Sequence, residues 1–215
     1  MNALTALLRD PAESQAHRAS HRALLALTVA AAFTYGAFMG ARDGRWLQAL
    51  YSGTKVPLLL AVATLLCLPS LFVANAALGL RADFRRALYG VAMSQGSVAV
   101  TLASLAPVTQ VSYLSVRAYG FALLLNGLMF ALASLVGQVV LARHYRPLIA
   151  RNPRHRFMLR GWLLLYWGVA IQAAWMLRPF IGAARLPTRF LRAASWDNAY
   201  VEIGSRLWVW LTGEW

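Results

Sequence analysis

The feature that most constrains the fold of this chain is a stretch of 25 residues, 56–80, that carries no charged side chain. As a helix rising about 1.5 Å per residue, it would be roughly 37 Å long, which exceeds the hydrocarbon core of a bilayer at about 30 Å. Lys55 precedes the stretch and Arg81 follows it. It therefore predicts a membrane-spanning helix, and Pro69 near its middle predicts a kink in that helix.

Four further apolar stretches accompany this one, and no strand pattern interrupts them. The sequence therefore predicts an all-α fold, a polytopic membrane helix bundle of about five transmembrane helices. We expect a cytoplasmic amphipathic lead-in over residues 1–22, a five-span membrane domain over 23–178 and a tail over 179–215. The predicted spans are residues 23–41, 55–80, 87–106, 118–142 and 161–177.

Three connecting regions are expected to leave the membrane helices. Residues 42–54 are too short and too polar to span, and their aromatic and leucine residues predict a separate interfacial helix. Beyond Pro107 the third span becomes polar, so residues 107–117 are predicted to be re-entrant or irregular. Residues 143–160 are the most basic region and are predicted to form a loop.

Both termini are predicted to carry amphipathic surface helices. In the tail, apolar residues recur at steps of four, three, four and three, which is the period of a helix with one apolar face. At about 15 residues this helix is too short to span, so we expect it to lie on the membrane surface or on the bundle. The residues are Trp196, Tyr200, Ile203, Leu207 and Trp210.

The formal charge is +14, from 21 basic and 7 acidic residues, and 20 of the basic residues are arginines. Such a balance often indicates nucleic-acid binding. Here the arginines flank apolar spans, which favours contact with anionic lipid head groups over nucleic acid. One side of the predicted bundle receives 12 basic residues and the other 9, which predicts a cytoplasmic N-terminus. Head-group contacts are expected at Arg143, Arg146, Arg151, Arg154, Arg156 and Arg178.

The predicted span interiors contain amides but no ionisable side chain. Coupled transporters and pumps usually need an ionisable group at membrane depth, so this absence disfavours them. The amides fit either a polar solute pathway or hydrogen bonds between helices. Gly36 and Gly40 form a GxxxG pair that would let a second helix approach closely, although glycine is also common in membrane helices. The interior amide candidates are Asn75, Gln95, Asn126, Gln138 and Gln172.

Catalytic and metal-binding patterns are weak. Glu13, His17 and His21 are spaced four apart on one predicted helix face, and two histidines at this spacing can bind a metal. A third protein ligand is missing from the pattern, so we predict no metal site and no cofactor. The few acids are scattered and no nucleophile motif is present, so the chain is not expected to be an enzyme.

The layout also resembles a known type of membrane protein. The second span reads KVPLLL…CLPSLFVANAALG and the exit from the fifth reads AWMLRPFIG. In these stretches and in the order of its spans, the chain resembles a group of uncharacterised bacterial five-span inner-membrane proteins, which is loosely similar to the Yip family. Yip proteins are adaptors in membrane trafficking and carry a much longer cytoplasmic N-terminal domain. The resemblance implies a five-span architecture in a bacterial inner membrane, and no residue carries the adaptor role over to this chain.

Three functions remain open from the sequence. The first is a non-enzymatic scaffold, adaptor or assembly subunit of a membrane complex, which would bind membrane lipids and other membrane proteins or a second copy of itself. The second is a facilitator or channel for a small solute, lined by the interior amides. The third is a membrane-embedded enzyme acting on lipid, for which Asp83 and the histidines are the remote candidates.

Overall fold

A computed structural model describes residues 21–116, 118–182, 187–192 and 198–212. This part of the chain contains helices and no strand, which confirms the all-α prediction. Five long helices follow one another and a shorter one comes last. They are α1 (His21–Gly40), α2 (Trp46–Ala77), α3 (Phe84–Ser115), α4 (Tyr119–Arg151), α5 (His155–Met176) and α6 (Ala199–Thr212).

Helices α1 to α5 are each long and apolar enough to cross a membrane, so the chain is a multi-pass membrane protein. Their outward faces carry large apolar side chains rather than polar ones. Leu66 on α2, Leu124 on α4 and Leu164 on α5 are 63%, 76% and 78% exposed. Such exposure suits contact with lipid tails and would be costly in water.

Successive helices run in opposite directions and pack into one bundle. Helix α1 packs against α2 and α3, α3 also packs against α4, and α2 packs against α5. One apolar core joins α1 to α4 around Tyr35, Val56 and Leu102. A second core joins α2 to α5 around Cys67 and Leu141.

Residues 46–54 do not form a separate interfacial helix, contrary to the sequence prediction. They are the first turns of α2, which continues through Pro57 and Pro69 as one helix. The break falls earlier, in a 3₁₀ turn at Arg42–Gly44, where Asp43 and Gly44 have φ of 59° and 69°. Backbone in this left-handed region ends α1 and reverses the chain.

The prediction of an irregular stretch after Pro107 is also wrong, because α3 continues to Ser115. Polar side chains near the proline bond to backbone carbonyls of their own helix, as Ser104 Oγ does to Thr101 O at 2.7 Å. Further along, Gln110 Nε2 donates to Phe38 O at 2.5 Å and so ties α3 to the last turn of α1. These bonds satisfy the polar residues within a continuous helix.

Residues 143–160 are not a loop, because only 152–154 separate α4 from α5. The end of α4 stays helical because it has an apolar face to bury, with Tyr145 fully buried and Leu148 3% exposed. The five predicted head-group arginines of this region are consequently on helices, except for one in the turn. Arg143, Arg146 and Arg151 lie on α4, Arg154 lies in the turn and Arg156 lies on α5.

The two predicted terminal helices lie only partly within the described residues. Helix α6 occupies most of the region where the tail periodicity predicts a helix, although Trp196 lies outside the described residues. The lead-in over residues 1–20, which includes Glu13 and His17, also lies outside them.

Candidate functional site

Helix α2 places three polar side chains on one face near its start. Gln48, Ser52 and Lys55 follow at steps of four and three, and each is fully buried. We call these three residues the Lys55 cluster. Lys55 was expected to flank the second span. Helix α2 begins at Trp46, ten residues before the uncharged stretch 56–80, so the lysine lies inside the helix and next to that stretch.

The chain after α5 folds back onto this cluster through residues 179–182, which we call the docked segment. Lys55 Nζ donates to Pro179 O at 2.6 Å. Gln48 Nε2 donates to Pro179 O at 3.2 Å and to Phe180 O at 2.9 Å, and Ser52 Oγ also donates to Phe180 O. Three side-chain donors thus converge on two adjacent backbone oxygens.

Aromatic rings enclose the ammonium group of Lys55. Its Nζ lies 5.8 Å from the ring centroid of Phe180 and 5.0 Å from that of Phe190, and the Phe190 ring packs edge-to-face on Tyr51. Within the described residues no carboxylate pairs with Lys55. Carbonyl dipoles and ring faces are therefore the groups that offset its desolvation there.

Glycines allow the backbone to come close on two sides of the Lys55 cluster. A Cβ at Gly40 would lie 2.5 Å from the Gln48 carbonyl oxygen, and one at Gly36 would collide with the backbone of Ser52. The GxxxG pair thus lies where α1 meets the start of α2. On the other side, a Cβ at Gly182 would lie 2.5 Å from Arg45 Nη1.

Arg178 marks the end of α5 and contacts that helix itself. Its Cζ lies 3.2 Å from the ring centroid of Trp175, and its Nε donates to Trp175 O at 3.4 Å. Arg192 Cζ lies 5.3 Å from the same ring. Two guanidinium groups therefore share one indole next to the docked segment.

Asn126 joins three helices deep in the bundle. Its Oδ1 accepts a hydrogen bond from Tyr35 OH on α1 at 2.8 Å, and its Nδ2 donates to Tyr113 OH on α3 at 2.6 Å. Tyr113 OH in turn donates to Met39 O at 3.3 Å. Asn126 itself is 4% exposed, so every member of this junction is satisfied away from water.

The other amide candidates have separate surroundings and do not line one path with Asn126. Gln95 Oε1 accepts from Tyr166 OH at 2.9 Å and so links α3 to α5. Gln172 Oε1 accepts from the backbone N–H of Ala199 at 2.9 Å, which attaches the start of α6 to α5. Asn75 Nδ2 bonds within its own helix to Leu71 O.

Gln138 Nε2 is buried with no hydrogen-bond partner among the described residues, and the same holds for Asn75 Oδ1. Nothing in the described part of the chain explains this orphaned donor.

The opposite end of the bundle holds a small charged network. Asp83 accepts from Arg86 Nη1 at 2.9 Å and lies 3.3 Å from Nε2 of the fully buried His155. Arg154 Nη1 donates to Leu78 O at 3.2 Å, just beyond the end of α2. These contacts hold together the turns that connect α2 to α3 and α4 to α5.

Sequence reasoning missed the Lys55 cluster, although a signal was present. The steps of four and three between Gln48, Ser52 and Lys55 put all three on one helix face. The signal became visible only once residues 46–54 were recognised as part of α2. The cluster donates to the carbonyls of Pro179 and Phe180. These acceptors are backbone atoms, so no pattern of side chains in the sequence predicts them.

Neither a protein-family model nor a curated protein nor a solved structure matches this chain.

Proposed function

We propose that this multi-pass protein is a non-enzymatic scaffold, adaptor or assembly subunit of a complex in the bacterial inner membrane. The observation that carries the proposal is the use made of the interior polar groups. Asn126 and Gln95, which a solute path would need, each bond to a tyrosine of a neighbouring helix. Such bonds fix helices relative to one another, as a rigid platform requires.

The rim of the bundle supplies surface for a partner. On α5, the side chains of Phe157, Leu164 and Trp167 are 67%, 78% and 47% exposed. Helix α5 therefore presents an apolar face to lipid or to another membrane protein. The Yip family, to which the bacterial proteins that this chain resembles are loosely similar, consists of adaptors, which agrees with this proposal.

Site-specific photo-crosslinking in native membranes tests it. A photoreactive residue at Leu164, which is 78% exposed on α5, is expected to yield a discrete protein adduct. The same residue at the fully buried Leu102 on α3 is the matched control and is expected to yield none. Lipid adducts alone at Leu164, together with a lone monomer by native mass spectrometry, would overturn the scaffold role.

A facilitator for a small solute is the second candidate, and the buried Lys55 cluster favours it. Three polar side chains at one end of the bundle would give a solute a first binding point. Vesicles reconstituted with the purified chain should then become permeable to a small anion or neutral solute. Vesicles that stay tight to a panel of such solutes would exclude this candidate.

Orientation is part of the same proposal. The 81–86 turn and the arginines around the α4–α5 turn lie at one end of the bundle, and the Lys55 cluster lies at the other. The excess of basic residues on the side of the N-terminus, 12 against 9, supports a cytoplasmic N-terminus.

A further inference from the structure

The docked segment occupies a site that could hold something else. Pro179 O and Phe180 O are two adjacent oxygen acceptors, and they receive donors from Lys55, Gln48 and Ser52. Two of these donors are neutral, and the third is an ammonium group that no described carboxylate neutralises. The donors therefore fit a ligand with two oxygens and a negative charge better than they fit neutral carbonyls.

The docked segment is held mainly by side chains rather than by regular backbone structure. Residues 179–182 and 187–192 form no helix or strand. Ile181 O accepts from Tyr119 OH at 3.3 Å, and the Ile181 side chain is 3% exposed in the apolar core. Releasing the two preceding carbonyls would leave this anchor in place.

The position of the cluster indicates the chemistry of the ligand. Lys55 stands at the start of the 25-residue uncharged stretch, which places it at the level where a bilayer presents its phosphates. Arg45 lies beside the docked segment, against Gly182, and donates to Thr188 Oγ1 at 2.6 Å. Lysine and arginine side chains both bind phosphate oxygens.

We propose that Lys55, Gln48 and Ser52 form a binding site for a phosphate group, and that the carbonyls of Pro179 and Phe180 occupy it as an internal substitute. Binding of phosphate displaces these carbonyls, while Ile181 stays anchored in the apolar core. The phosphate belongs either to the head group of an anionic phospholipid or to free inorganic phosphate. The inference does not depend on the proposed scaffold role.

The test uses the full chain purified in a phosphate-free maltoside detergent. Phosphatidylglycerol is added in one arm and inorganic phosphate in the other. Bound lipid is counted by native mass spectrometry, and phosphate binding is measured by calorimetry. Amide hydrogen exchange of residues 178–192 reports displacement of the Pro179 and Phe180 carbonyls. The Lys55→Met variant removes the ammonium group at similar length. Arg85→Gln, an exposed residue at the opposite end, removes the same charge and is the matched control.

The wild type and Arg85→Gln are expected to bind in at least one arm, with faster exchange in residues 178–192. Lys55→Met should bind about tenfold more weakly or worse, and its exchange should not respond. If Lys55→Met does not fold, Gln48→Leu replaces it in the test, because this variant removes a donor to the same two oxygens and should also weaken binding. Binding in the phosphatidylglycerol arm alone identifies a lipid site, and binding in the phosphate arm identifies a site for the free ion. No binding in either arm, or equal binding by Lys55→Met and Arg85→Gln, would overturn the proposal.

Discussion

Replacing Gly36 by alanine gives the sharpest test of how α1 and α2 are packed. A Cβ at this position would lie 2.9 Å from the Cα of Gly53 and closer still to the carbonyl of Ser52. Carbon atoms in contact prefer about 3.5–4.0 Å, so the two helices would have to separate by roughly 0.6 Å or more. The atoms in the way are backbone, which cannot rotate aside as a side chain could.

The expected cost follows from that clash. Over-packing a tight contact costs about 1–3 kcal/mol. Taking about 2 kcal/mol, and about 2–4 °C per kcal/mol for a chain of this size, the melting temperature should fall by about 4–8 °C. Separation of the helices would also loosen Gln48 and Ser52, since both lie in the same contact.

The matched control is Gly127→Ala. Gly127 also lies within a long helix, but nothing lies within 4 Å of a Cβ placed there. This variant should keep the wild-type melting temperature or exceed it, because alanine favours the helix over glycine. Tryptophan fluorescence during heating in detergent measures both variants. If Gly36→Ala melts at or above the temperature of Gly127→Ala, the close approach of α1 and α2 is refuted.

Three further predictions concern the amides and the orientation. Asn126→Leu should lower the free energy of unfolding by about 1–2 kcal/mol, because hydrogen bonds to two other helices are lost. Gln138→Leu should be neutral or stabilising, because its amide donor is already without a partner among the described residues. Equal unfolding free energies in a denaturant titration would contradict this pair. Gln172→Leu should speed hydrogen exchange at the start of α6 (Ala199–Thr212), since the Ala199 N–H loses its acceptor, and unchanged exchange there would show that other contacts hold the helix. A cysteine at the exposed Ser115 should react with an impermeant maleimide added to intact spheroplasts, and reaction only in inverted vesicles would reverse the proposed orientation.

Helix ends were the least predictable part of the fold. Hydropathy reports which residues prefer lipid, but a helix can continue past the lipid boundary when its polar residues find partners. Residues 46–54 do so by burying Gln48 and Ser52, and the end of α3 does so through Gln110. The end of α4 does so by burying Tyr145 against its neighbours. In each case the stabilising contact comes from another part of the chain, which no local pattern contains.

The sequence by itself determined that the chain is a bundle of apolar helices, because 25 uncharged residues in a row and four similar stretches have no other stable environment than lipid. It also determined the short helix near the C-terminus, through the spacing of its apolar residues. Only the tertiary structure decided the surroundings of Lys55. Its ammonium group donates to the Pro179 carbonyl, which lies 124 residues further along the chain, and backbone carbonyls look the same in every sequence.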